Sequence, residues 1–141
     1  TENVLRKSPK PVFIAPREFA KPKKPLLAYD GSTNAGKAMH SAAEWAKTLG
    51  LPLTVVTVAP PGEDDSLLKE VEDYLKPYAI KSSFVRLEGD PAAAIEVYYE
   101  DKGHDLVFIG TSHHSRLVAM VLGSTTEHLI RLLQGPFFIE R

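Results

Sequence analysis

The stretch Asp105-Leu106-Val107-Phe108-Ile109 is the most apolar strand predicted in this chain, and it decides the fold class. A short apolar run of this kind, closed by Gly110, is typical of a strand that is covered on both faces. Such a strand lies inside a sheet that carries helices on each side. We therefore place residues 105–109 in the centre of a largely parallel sheet.

Strand and helix patterns alternate on either side of this stretch. The other predicted strands are 26–29, 53–58, 83–87 and 136–139, and the predicted helices are 35–49, 67–78, 91–103 and 125–133. Strands joined by single helices require right-handed crossovers and a mostly parallel sheet. The sequence predicts an open, doubly wound, five-stranded α/β domain with helices on both faces.

Capping residues mark the ends of three helices. Asp90 followed by Pro91 is typical of an N-cap with proline at the first helical position. Gly50 stops the first helix, and Ser124 with Glu127 forms a capping-box pattern for the last helix.

The composition excludes several classes of protein. The chain has 141 residues, 43% of them hydrophobic and 25% charged, which is ordinary for a globular domain. It has no cysteine, which rules out a disulfide framework, a thiolate metal site and a cysteine nucleophile. No apolar run approaches the ~20 residues that a membrane span needs, and the start does not resemble a signal peptide. We expect a cytoplasmic protein.

Charge is distributed unevenly along the chain. Residues 1–25 carry seven Lys or Arg against two Glu, whereas residues 26–141 carry ten basic and sixteen acidic side chains. Five of the eleven prolines also lie within residues 1–25. We interpret residues 17–25 as a solvated, proline-stiffened basic linker and consider nucleic-acid binding by it the weaker hypothesis.

Residues 1–16 repeat the end of the chain at an offset of 125. Six of the sixteen aligned pairs are identical without a gap, among them Pro11 with Pro136 and Phe13 with Phe138. We interpret residues 1–16 as the final helix and strand of a preceding copy of the domain that spans 26–141. The segment 11–15 is expected to pair with the edge of the fifth strand, of its own chain or of a neighbour.

Open parallel sheets bind ligands at the carboxyl ends of their strands. Asp30, Val58 and Gly110 follow or end predicted strands and are therefore candidates. The segment 110–125 starts with glycine and delivers Gly123-Ser124-Thr125 to a helix N-terminus, which attracts anions. Ser124 acting only as a helix cap explains the same spacing equally well.

Residues 26–141 resemble the universal stress protein family. The resemblance rests on Leu26-Leu27-Ala28-Tyr29-Asp30-Gly31-Ser32, on Gly89-Asp90-Pro91-Ala92, on residues 105–110, and on the loop from Gly110 to Gly123-Ser124-Thr125. It implies the strand order 3-2-1-4-5, a homodimer or a tandem pseudo-dimer paired through strand five, and a role in stress responses. In one branch of the family it implies ATP, possible here together with Mg²⁺, bound without rapid turnover.

Nucleotide contacts follow from the resemblance position by position. Asp30 and Val58 would meet the adenosine, Gly110 the ribose, and Gly123 to Thr125 the phosphates. The full set of implied nucleotide-binding residues is Ala28, Asp30, Val58, Gly110, Thr111, His113, Gly123, Ser124 and Thr125.

His113 stands where the ATP-binding branch has a glycine. A Cβ and a ring at that point obstruct close approach of the backbone to phosphates. Two hypotheses follow: a regulatory domain that binds ATP or a related adenine nucleotide, or an interaction and dimerisation module whose pocket is occluded at His113.

Two other motifs are weak, and no catalytic constellation is evident. Residues 31–38 resemble a phosphate-binding loop, but Ala38 replaces the Ser or Thr that holds Mg²⁺, and Lys37 is predicted to face solvent from a helix. His113 and His114 have no third ligand at zinc-binding spacing. We find no nucleophile-elbow pattern and no paired carboxylates on one predicted face.

Overall fold

The computed structural model of the chain describes residues 10–111, 124–133 and 135–141. Within them the chain forms strands and helices in alternation. In chain order these are β1 (Val12–Ile14), β2 (Pro25–Ala28), α1 (Thr33–Leu49), β3 (Leu53–Val58), α2 (Ser66–Leu75) with a short 3₁₀ turn (Lys76–Tyr78), β4 (Ser82–Leu87), α3 (Pro91–Lys102), β5 (Leu106–Gly110), α4 (Ser124–Leu132) and β6 (Phe137–Glu140).

The strands form one sheet in the order β1-β6-β5-β2-β3-β4. From β6 to β4 all neighbouring pairs are parallel, whereas β1 is antiparallel to β6. The predicted doubly wound α/β fold and its order 3-2-1-4-5 are therefore confirmed for β2 to β6. The predicted count of five strands is one short because β1 joins the same sheet.

β5 lies in the interior of the sheet, as its apolar sequence predicts. It pairs with β2 on one side and with β6 on the other, and all five of its residues are buried. Phe108 is among the largest side chains that are fully buried.

Helices cover both faces of the sheet. On one face α1 contributes six buried small or flexible side chains, which allow close packing onto the sheet, and α2 adds Leu68, Val71 and Leu75. On the other face α3 and α4 contribute Ile95, Tyr99 and Leu129 to a second core. None of the helices in the described residues is long and apolar enough to cross a membrane.

The predicted caps of α1 and α3 are present. The Asp90 carboxylate accepts a hydrogen bond from the Ala93 backbone N–H (3.1 Å), and Gly50 ends α1 with φ +65°. The prediction of α4 is shifted by one residue, because α4 begins at Ser124 and ends at Leu132. The predicted Ser124 cap depends on a side chain outside the described part of the chain.

β1 docks on β6 of its own chain, as expected for residues 11–15. Phe13 lies opposite Phe138, with Val12 opposite Ile139 and Ile14 opposite Phe137. The Phe13 ring stacks on Trp45 of α1, with centroids 5.8 Å apart. Because β1 covers this edge of β6, another copy cannot pair there while β1 remains in place.

The predicted linker 17–25 is held firmly at its last residues. The Asp105 carboxylate accepts hydrogen bonds from the backbone N–H groups of Lys23 and Lys24 (both 2.8 Å), and His104 Nδ1 donates to the Lys24 carbonyl oxygen (3.1 Å). These contacts fix the point at which the chain enters β2.

Candidate functional site

A cleft of about 230 Å³ opens at the carboxyl ends of β2, β3 and β5. The beginnings of α3 and α4 close its outer side. Its lining comprises Ala28, Tyr29, Asp30, Val56, Val58, Pro91, Ile95, Ile109, Gly110, Thr125 and Thr126.

The topology of the sheet explains the position of the cleft. The chain runs outward from β2 through β3 to β4, and then crosses back to β5 on the other side of β2. The connections that follow β2 and β5 therefore lead to opposite faces, with α1 on one and α4 on the other. Ligand clefts of doubly wound sheets form where neighbouring connections separate in this way.

The walls of the cleft are apolar and its mouth is polar. Ala28, Val56 and Ile109 belong to the core beneath α3 and α4, and the strand register places Val56 and Ile109 on either side of Ala28. Asp30 is exposed at the mouth, where its Oδ1 accepts a hydrogen bond from the Ser32 N–H (2.9 Å). The arrangement suits a flat apolar group inside and polar groups at the opening.

Gly110 lines the cleft, and the packing of α1 on β5 also requires a glycine at this position. A Cβ at this position would lie 2.3 Å from the carbonyl carbon of Asn34 and 2.5 Å from the Ala35 nitrogen. The absence of a side chain therefore lets the start of α1 rest directly on the end of β5. The Gly110 carbonyl oxygen also accepts a long hydrogen bond from Thr126 Oγ1 (3.5 Å), which links β5 to α4.

Thr111 lies beyond the lining of the cleft and has a bridging role. Its backbone N–H donates to the Glu140 carbonyl oxygen (2.9 Å), and Asn34 Nδ2 donates to the Thr111 carbonyl oxygen (2.8 Å) and to its Oγ1 (3.1 Å). Glu140 Oε1 in turn accepts from Ser41 Oγ (2.8 Å). These bonds join the ends of β5 and β6 to the first turns of α1.

Tyr29 lines the cleft and is largely buried, and its hydroxyl donates to Glu70 Oε1 (2.9 Å). Burial, together with this bond to a carboxylate, raises the pKa of Tyr29 to about 12. The hydroxyl therefore stays protonated at neutral pH and ties β2 to α2.

Known proteins are similar to this chain in sequence and in fold. The model of the universal stress protein family matches residues 22–77 and 63–139. The chain belongs to the universal stress protein family. It is 34% identical over 138 residues to the universal stress protein Slr1230 of Synechocystis sp., an alignment that covers 96% of this chain and 48% of that protein.

Solved structures of the family show the same architecture. A universal stress protein from Archaeoglobus fulgidus DSM 4304 superposes with a TM-score of 0.82 at 28% identity, over 99% of this chain and 52% of that one. A universal stress protein in complex with cAMP has a TM-score of 0.72 at 18% identity, over 86% and 99% of the two chains. A third structure, of a different universal stress protein from Archaeoglobus fulgidus in complex with dAMP, has a TM-score of 0.68 at 20% identity, over 84% of this chain and 98% of that one. This universal stress protein chain spans about half the length of the curated relatives it matches.

The predicted binding residues fall into three groups. Ala28, Asp30, Val58, Gly110 and Thr125 line the cleft, and Thr111 lies next to it. His113, Gly123 and the Ser124 side chain lie outside the described residues, as does His114. Lys37 is exposed on α1, as predicted, and its Nζ donates to the Arg141 carbonyl oxygen (3.1 Å).

About half of the residues that line the cleft were not among those predicted from the sequence. Val56 was recoverable, because it lies two residues before Val58 and alternate residues of a strand share one face. Ile109 and Ile95 gave no such signal, since their place depends on how β5 and α3 pack. The missed residues are Tyr29, Val56, Pro91, Ile95, Ile109 and Thr126. Across the described part of the chain, no group of His, Cys, Asp and Glu is arranged to hold a metal ion.

Proposed function

We propose that the cleft binds ATP or a related adenine nucleotide, and that the domain acts as a regulator in stress responses with little or no turnover of the nucleotide. The observation that carries this proposal is the cleft itself, which is apolar inside, has Asp30 at its mouth, and lies beside the N-terminus of α4. Structures of proteins with the same fold in complex with cAMP and with dAMP support it.

Each part of the nucleotide matches a part of the cleft. The base packs against Val56, Val58 and Ile109, and the ribose hydroxyls reach the Asp30 carboxylate. The phosphates lie at the start of α4, where backbone N–H groups and the helix dipole stabilise negative charge. At about 230 Å³ the cleft is smaller than the ~300–1,000 Å³ typical of ligand pockets, so it suits the nucleoside part, with phosphates outside.

Thermal unfolding with ATP, AMP and adenosine tests this function. A ligand that binds the native state alone stabilises it by about 2.7 kcal/mol at a hundredfold excess over Kd, so ATP should raise the melting temperature. Thr125→Glu places a negative charge beside the phosphates and should weaken ATP binding more than adenosine binding. Ser66→Glu, at the start of α2 on the opposite face, is the matched control and should bind as the parent does.

Absence of any shift at millimolar ATP with Mg²⁺ would refute nucleotide binding and favour the interaction module. His113→Gly separates the two hypotheses further. If the histidine obstructs the phosphates, this variant binds ATP more tightly than the parent. Unchanged or weaker binding would show that the steric argument about His113 is wrong.

We also propose that β1 is the last strand of a preceding domain copy and that the β1–β6 pair is a seam between two copies. The support is the symmetry of the pairing. The offset of 125 makes Phe13 equivalent to Phe138, and these two residues lie directly opposite each other. Val12 is equivalent to Phe137 and lies opposite Ile139. Ile14 is equivalent to Ile139 and lies opposite Phe137, which is the pattern of a two-fold symmetric interface.

Deletion of residues 1–16 tests this seam. The deletion exposes the edge of β6, which can pair with the same edge of a second copy. We therefore expect the deletion variant to form a dimer, measured by light scattering, and the full chain to stay monomeric. Adding Phe138→Lys to the deletion should restore the monomer, because two lysines would oppose each other on the axis. A deletion variant that stays monomeric over the whole concentration range contradicts the seam.

A further inference from the structure

The far edge of the sheet, at β4, carries no further strand within the part of the chain that the structure describes. Among the described residues β4 pairs with β3 alone, and none of its side chains is fully buried. β4 contains no proline, and Arg86 is its one charged residue. The guanidinium of Arg86 binds the loop between β3 and α2. It donates hydrogen bonds to the carbonyl oxygens of Pro60 (2.6 Å) and Glu63 and to Asp65 Oδ1 (3.1 Å). The edge therefore lacks the features that usually prevent a further strand from pairing.

A groove runs from the end of β4 along the outward side of α3. Its volume is about 430 Å³, and its lining comprises Leu87, Glu88, Asp90, Ala93, Ala94, Val97, Tyr98 and Asp101. Val97 is 66% exposed, the largest exposure among the large apolar side chains of the described residues. On the same face of the sheet, Val85 and Leu87 at the edge are half-buried. Apolar surface is thus continuous from the sheet edge to the helix.

The rim of this groove is acidic. Glu88, Asp90 and Asp101 contribute three carboxylates, and the described residues of the lining include no basic side chain. The Asp90 carboxylate accepts a hydrogen bond from the Ala93 N–H as it caps α3, and Asp101 lies 3.7 Å from Lys102 Nζ in an exposed pair, which neutralises little. An apolar floor with a negative rim is complementary to an apolar segment flanked by positive charges.

We propose that the β4 edge and the α3 groove bind an extended peptide segment of a partner protein. The segment pairs as a further strand with β4, places apolar side chains against Val85, Leu87 and Val97, and carries lysine or arginine at its flanks. Backbone hydrogen bonds to β4 supply affinity, while the groove and its rim select the side chains. The groove shares no lining residue with the nucleotide cleft, although both flank the first turns of α3, and this proposal does not depend on nucleotide binding.

A defined peptide tests this docking surface on the full chain. The probe is a fluorescein-labelled peptide of about eight residues in which a valine-rich centre is flanked by lysines, and the same peptide with glutamates in place of the lysines is the control. Fluorescence anisotropy should show saturable binding of the lysine peptide alone. The double variant Glu88→Lys/Asp101→Lys should weaken binding about tenfold, since like charges then oppose each other. Glu18→Lys/Glu72→Lys changes the net charge equally, at exposed positions outside the groove, and should bind as the parent does.

Backbone pairing is tested by N-methylation of the probe. Two versions of the lysine peptide are prepared. One is methylated on the odd-numbered backbone nitrogens and the other on the even-numbered ones, so each version lacks the N–H donors along one edge of the extended peptide. One of the two should lose binding and the other retain it. Equal binding of both versions, no saturable binding of the parent peptide, or equal loss in both double variants overturns the proposal. Circular dichroism establishes that the double variants are folded.

Discussion

At Gly110 the fold leaves no room for a side-chain atom. The atoms that a Cβ would meet belong to the backbone of Asn34 and Ala35, so they cannot rotate away as a flexible side chain would. Gly36, only a few residues further along α1, is the opposite case: a Cβ there meets nothing within 4 Å. The two glycines therefore differ in what they do for the native state.

Alanine at each position should reveal this difference. Gly110→Ala forces α1 away from β5 and should lower the free energy of unfolding by about 1–3 kcal/mol. Gly36→Ala lies inside a helix with free space and should raise it by roughly 0.5–1 kcal/mol. Urea denaturation measures both. A Gly110→Ala variant as stable as the parent would mean that α1 can shift without cost.

Among the elements, β1 owes its position to an aromatic cluster as well as to backbone pairing. Phe13 stacks on Trp45, and Trp45 also contacts Phe108 and Phe138 edge-on. Phe19 of the linker meets the edge of Phe13, with centroids 5.6 Å apart, and is 47% exposed. Phe13 is therefore the ring that connects β1 to the core.

Removing these two rings separately should have unequal effects. Phe13→Ala should lower the free energy of unfolding by about 1–2 kcal/mol, because a ring that is 37% exposed is only partly buried. Phe19→Ala should cost less than about 1 kcal/mol. Trp45 is the single tryptophan of the chain, so its emission reports on the cluster and should shift to the red in Phe13→Ala. Equal losses in the two variants would contradict this view of β1.

At the scale of the whole molecule, a buried histidine lies at the joint, by which we mean the contacts that hold the end of the N-terminal segment to the domain. His104 donates to the Lys24 carbonyl oxygen and packs against the rings of Tyr98 and Tyr99, with the Asp105 carboxylate and Lys24 as neighbouring charges. Burial lowers the pKa of His104 below its ordinary value near 6.5, although its bond to Lys24 opposes the shift. The folded protein therefore favours the neutral ring.

Acidification should weaken this joint. In the unfolded chain His104 has a pKa of about 6.5, whereas in the folded protein its pKa is lower. As the pH falls between these two values, the unfolded chain binds a proton that the folded protein does not, so the free energy of unfolding decreases. His104→Asn keeps a donor near the position of Nδ1 but cannot titrate. Urea unfolding at pH 7.5 and pH 5 should show a smaller loss of stability in the variant than in the parent. An identical loss in both would assign the pH dependence to other groups.

Much of this architecture was accessible from local patterns. The β-branched residues of 53–58 predicted a strand with the bounds that the structure has for β3, and Asp90 with Pro91 marked the start of α3. The apolar stretch 105–109 indicated its central place in the sheet. Such inferences succeed because strand and helix periodicity, capping and turn chemistry depend on residues that are close together along the chain.

What the sequence determined by itself was the type of each element, the doubly wound class, and the candidates at the strand ends that line the cleft. The tertiary structure alone decided that β1 pairs with its own β6, that Gly110 is required by α1, and that Ile95 and Ile109 complete the cleft. Gly110 and Asn34 are far apart in the chain, and no local pattern reports the distance between them. That distance is set by how closely α1 packs on the sheet, which depends on every side chain in the shared core.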